Sequence, residues 1–145
     1  MTLGIVMTEN VTNAYISIAS QTNNTRNVSL TVQGLNKFIT VEASTELEES
    51  VSNYTLTIYY TPEEVAAAGL NETDLGIYWY NETLESWQLL DNDTMDWVRA
   101  TGVNTSSHYV WAVVTHFSDY TIAQTTQTQE VPLQQGWNLI SLPLV

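Results

Sequence analysis

The chain has 145 residues, 43% of them hydrophobic and 13% charged, and sixteen acidic residues against three basic ones give a net charge of -13 and a pI near 4.1. A chain of this length makes one domain that buries its core without disulfides or metal, while its acidic field repels nucleic-acid backbones and anionic lipid surfaces as partners. Cysteine is absent, which excludes disulfides, thiolate metal sites and cysteine nucleophiles.

In chain order, the opening "MTLGIVMTEN" has no basic segment followed by an apolar run, and no later stretch approaches the roughly 20 apolar residues of a membrane span. If the protein is exported, the chain is a mature fragment. The runs "NAYISIAS" (13–20), "NVSLTVQGL" (27–35), "KFITVEAST" (37–45) and "NYTLTIYYT" (53–61) are rich in β-branched and aromatic residues with period-two alternation, which predicts strands. Val28, Leu30 and Val32 point one way and Ser29, Thr31 and Gln33 the other, as in a sheet with one buried face. "QTNNTRN" and "STELEESVSN" read as solvated loops.

"TPEEVAAAGLN" predicts one short helix over about 61–69: Thr61 caps, Pro62 takes the first turn, Glu64 closes a capping box and Gly69 ends it. "LGIYWYNETLESWQLLD" has the form of a hairpin turning at Asn81, Glu82 and Thr83. "DNDTMDWVRATGVNTSS" reads as a loop region around a short strand at Trp97. "HYVWAVVTHFSDYTIA" supplies a long central strand, a bend near Ser118 and a closing strand. Residues 1–124 therefore form an all-β sandwich of immunoglobulin-like type with one short helix. Residues 125–145 are a linker and an apolar strand, "GWNLISLPLV", that completes this domain, begins a neighbouring module or adds to the sheet of another copy.

The stretch from "YYTPEEVAAAGLNETDLGIYWYNETLESWQLLD" to "VNTSSHYVWAVVTHFSDYTIA", Tyr59 to Ala123, resembles a β-sandwich module of cell-surface proteins of methanogenic archaea, including the PGF-pre-PGF type. The shared pattern is a short "TPEE" helix, an "IYWYN" strand, a tryptophan on the return strand, a loop and a final V-T-H-F-S-x-Y. "GWNLISLPL" is similar to the opening of another module in such proteins. The resemblance implies an extracellular setting in an archaeal envelope or S layer, repeated domains and no known catalysis.

"VTHFSDY" is also similar to the last strands of ZU-type and GAIN domains, some of which cut themselves within His-Phe-Ser. That resemblance implies Ser118 as a nucleophile on the Phe117 carbonyl with His116 as base, an acyl shift that needs a strained turn. A triad of His116, Ser118 and Asp119 fails on strand geometry, because Asp119 points away from the other two.

Asn-X-Ser/Thr occurs at Asn10, Asn23, Asn27, Asn53, Asn71, Asn81, Asn92 and Asn104, eight of twelve asparagines. Random placement predicts about two or three. The excess marks these positions as candidate N-glycosylation sites of an extracellular, cell-surface protein. Asp91, Asp93 and Asp96 lie in one loop and are candidate Ca2+ ligands, the one cofactor considered. An EF-hand is excluded, because Asp96 stands where the loop needs glycine and Gly102 where it needs glutamate. Trp79, Trp87 and Tyr80 are candidates for a carbohydrate platform, with Trp111 assigned to the core. The expected function is a non-catalytic structural or adhesion module whose partners are neighbouring modules or copies of itself. The alternatives are a carbohydrate-binding module with a polysaccharide partner, and a self-cleaving domain at Phe117-Ser118.

Overall fold

The computed structural model describes residues 2–7 and 12–125. The expected linker and C-terminal strand after Thr125, with Asn10, lie outside the described residues. Among the described residues nine strands form two antiparallel sheets: β1 (Thr2–Met7), β4 (Val51–Tyr59), β8 (Tyr109–Val114) and β7 (Val98–Asn104) in that order, and β2 (Ile16–Gln21), β3 (Gly34–Ala43), β9 (Asp119–Gln124), β5 (Leu75–Asn81) and β6 (Ser86–Leu89). The fold class is the all-β sandwich that the strand pattern required.

Alternation sets the core. Tyr54, Leu56 and Ile58 of β4 and Val110, Ala112 and Val114 of β8 face Ile39 and Val41 of β3, Ile77 of β5, and Tyr120 and Ile122 of β9 across the sandwich. Each such side chain, fully buried, contributes about 1.5–3 kcal/mol of hydrophobic stabilisation before its entropy cost.

The run "NVSLTVQGL" departs from expectation. Only its last two residues are strand; 22–33 cross the outer face of the five-stranded sheet as an extended strap. Val28, Leu30 and Val32 do point one way, but onto Phe38, Tyr78, Tyr80, Trp87 and Ala123, a second small core. Period-two burial arises in any extended segment lying on a flat apolar face, so the alternation was real and the ladder was not. The strap is fastened by Trp87 Nε1, which donates to the Val28 carbonyl at 2.9 Å, and by Arg26.

Among the described residues two α-helices occur rather than one, with a single 3-10 turn at Glu72–Asp74. The expected helix is α2 (Pro62–Ala67), with both hydrogen bonds of the Thr61–Glu64 capping box formed and Gly69 at φ +71°. A further six-residue helix, α1 (Thr45–Ser50), lies in the stretch expected as a solvated loop. Its Ser44 N-cap makes no side-chain cap bond, and burial of Leu47 and Ser50 holds it in place, a tertiary signal the local sequence does not carry. The short strand expected at Trp97 is the longer β7, which starts at Val98 and runs on through Ala100, Gly102 and Asn104, residues that are poor strand formers. No helix among the described residues is long and apolar enough to cross a membrane.

Candidate functional site

The bend between β8 and β9 brings His116, Phe117 and Ser118 to one end of the sandwich, where β3, β5 and the β5–β6 turn also end. Together they line an open groove of about 580 Å³, with Trp79, Tyr80 and Asn81 in its wall, Arg26 and Asp119 at its side, and Tyr15 62% exposed beside it. The groove therefore unites the His-Phe-Ser triplet, two of the three expected sugar-binding aromatics and one candidate glycan acceptor.

The triplet is held by its backbone and by stacking. The His116 carbonyl accepts hydrogen bonds from the hydroxyls of Tyr54 and Tyr120, the second at 2.7 Å, and those hydroxyls are 2.7 Å apart. Burial raises both tyrosines above the ordinary phenol range, so they stay protonated donors. The Phe117 ring stacks on Tyr54 at 4.6 Å and 4°, and the Ser118 carbonyl accepts from the Val41 amide at 2.9 Å. The His116 imidazole stacks on Trp97 at 4.5 Å and 12°, and Trp79 packs edge-on against Trp97.

This geometry bears on the acyl shift. The two tyrosine hydroxyls polarise the carbonyl of His116, one residue upstream of the Phe117 carbonyl that Ser118 would attack. None of the three residues has positive φ, the region occupied by Asn13, Asn36, Glu85 and His108 among non-glycine residues. Among the described residues no hydrogen bond joins the His116 ring to the Ser118 hydroxyl.

Arg26 is the cation of the site. Its guanidinium lies 4.6 Å from the Tyr80 ring centroid, its Nε donates to buried Asp119 at 2.6 Å and its terminal nitrogen to Glu82 at 2.9 Å. It therefore ties the strap, β9 and the β5–β6 turn together at the groove wall. Nothing in the local sequence marks it, because its partners are 93 and 56 residues away.

The expected sugar platform needs correction. Trp87 and Tyr80 are buried beneath the strap, packed on each other at 5.4 Å, and Trp79 is half-buried against Trp97. Alternation places Tyr78 and Tyr80 on the outer face of β5, where the strap covers them. Conversely Trp111, expected in the core, stands half-buried on the outer face of β8, because Val110 and Ala112 take the inward positions.

In the aspartate loop, both carboxylate oxygens of Asp91 close its own turn, accepting from the Asp93 amide and the Thr94 hydroxyl at 2.9 Å each, while Asp93 and Asp96 are exposed. No group of three side chains able to hold a metal ion occurs among the described residues. Of the seven described glycan candidates, Asn23, Asn27, Asn71 and Asn92 are exposed and Asn53, Asn81 and Asn104 half-buried. Asn81 and Asn104 each accept from two following backbone amides through Oδ1, the turn-closing role open to any asparagine there.

Compared with family models, with curated proteins and with solved structures, the chain matches none.

Proposed function

We propose that the protein is a non-catalytic structural or adhesion module of an archaeal cell-surface glycoprotein. The observation that carries this reading is the position of the candidate acceptors: all seven described Asn-X-Ser/Thr asparagines lie outside the core, in the strap, in loops, at the last residues of β5 and β7 and, for Asn53, within β4. Glycans at those points, with the acidic surface, shield a rigid sandwich from proteolysis and keep crowded copies apart.

Contacts with neighbouring copies run through the sheet edges. β2 supports this: it is an outer strand without charge or proline, paired to β3 in unbroken register, and exposed from Ser17 to Gln21. Such an edge is a template for another strand, since its outward amides and carbonyls have no ladder partner among the described residues.

The test is intact-mass analysis with glycopeptide mapping of the protein made in a glycosylating archaeal host, beside the same chain from bacteria. The expected result is added glycan mass at several of Asn23, Asn27, Asn71 and Asn92, against a single bacterial chain near 16.3 kDa. Unmodified asparagines in the archaeal product overturn the glycoprotein reading. A bacterial product divided at Phe117-Ser118, and intact in Ser118→Ala, makes the chain self-processing instead.

A further inference from the structure

The outer face of the four-stranded sheet presents aromatic rings that no element among the described residues covers. Tyr59 of β4 pairs with Tyr109 of β8, their rings 5.4 Å apart and edge to face, and Tyr59 is 46% exposed. Trp111 follows two residues along β8 on the same face, about 7 Å further on, opposite Thr57. On its other side Trp111 pairs with Gly102 of β7, where a Cβ would lie 2.7 Å from the indole. The absent side chain lets the indole lie against β7 at Gly102, and the ring stays half-buried on this outer face. Asn104 Nδ2 donates to the Tyr109 hydroxyl at 3.1 Å and so orients that ring.

From this we infer that the face of Tyr59, Tyr109 and Trp111 is a binding platform for an uncharged polysaccharide, separate from the groove at the end of the sandwich. The rings offer flat apolar surface to the C–H faces of pyranose rings, while Thr57, the two phenols and Asn104 offer hydrogen-bonding groups at the margins. None of these residues is charged, on a molecule of net charge -13. The general field repels polyanions, and a neutral polymer meets neither that repulsion nor an ion to desolvate.

This goes beyond the module reading and is tested without glycans on the protein. Unglycosylated protein from bacteria is run in native gels containing hydroxyethylcellulose, galactomannan or glycogen, with carboxymethylcellulose as the anionic comparison. The expected result is retardation by at least one neutral polymer. Trp111→Ala lowers the apparent affinity by about tenfold or more, Tyr59→Ala lowers it less, and both keep the wild-type circular dichroism, since neither ring is in the core. Tyr15→Ala, at the groove, leaves retardation unchanged. No retardation by any neutral polymer, or retardation that Trp111→Ala leaves intact, overturns the proposal. So does loss with Tyr15→Ala alone, which moves the site to the groove. Sedimentation in which Trp111→Ala abolishes self-association, with no polymer bound, assigns the face to a second copy and overturns it as well.

Discussion

At the scale of single residues, the His116 carbonyl shows how a bend is fixed by one side chain close in sequence and one far from it. Tyr54 and Tyr120 both donate to it from within the core. Removing either hydroxyl leaves the carbonyl one donor and strands no large cavity, so Tyr54→Phe and Tyr120→Phe are each expected to cost about 1–2 kcal/mol, read as a lower urea midpoint with an unchanged slope. The double variant should cost more than the sum, because the last donor is then lost and the buried carbonyl is unsatisfied. The same burial makes stability depend on alkaline pH. Burial raises Tyr54, Tyr78 and Tyr120 in the fold and pushes Tyr60 up to about 12. The unfolded chain ionises its phenols near pH 10. A raised folded value contributes stability that is complete below the unfolded value and lost as pH rises through the folded one. The fold should therefore weaken progressively above about pH 10, with phenolate absorbance from the core tyrosines appearing together with loss of the far-ultraviolet dichroism. Phenolate absorbance from those residues with the dichroism intact would refute this. Of this constellation the sequence showed His116, Phe117 and Ser118 with Tyr120 as one V-T-H-F-S-x-Y unit, but not Tyr54, which no spacing rule connects to them.

At the scale of elements, the strap and the outer face of β8 carry the main lessons. The strap adds a small third layer on a sheet that would otherwise expose Phe38, Tyr78 and Trp87. Arg26 is its main polar fastening, and the carboxylate of Asp119 that it meets is only 7% exposed. Arg26→Ala leaves that carboxylate with the Thr25 hydroxyl at 3.3 Å, so a loss of about 1–3 kcal/mol is expected. Local opening of the strap should accompany it, seen as greater acrylamide quenching of fluorescence that Trp87→Phe removes. Unchanged quenching would mean that the apolar contacts alone hold the strap. The alternation of Val28, Leu30 and Val32 was legible, yet its meaning required the partner surface: extended chain on a sheet face and strand in a sheet share one periodicity. Trp111 illustrates the converse. In "YVWAVV" every position is apolar, so the sequence does not say which alternate set faces inward. The register of β8 against β4 and β7 decides it.

At the scale of the whole molecule, charge balance governs behaviour more than any one ion pair. Two of the three basic residues are engaged, Arg26 with Asp119 and Glu82, and Lys37 with Glu64 at 3.1 Å. The remaining acidity is self-repelling. Raising salt from about 0.01 M to about 1 M shrinks the screening length from roughly 30 Å to 3 Å, so the melting temperature should rise despite weaker ion pairs. A fall would show that the Arg26 and Lys37 bridges outweigh the general repulsion.

What the sequence determined by itself was the β class, the capped helix at Thr61, the hairpin turning at Asn81 and the bend at Ser118. Each follows from local periodicity, capping or turn chemistry within about ten residues. What only the tertiary structure decided was which face each apolar strand buries, the strap in place of a strand, the six-residue helix α1, the clamp of Arg26 and the exposure of Trp111. These depend on pairings between residues tens of positions apart, where the free energy comes from shared burial that neither partner's own sequence encodes.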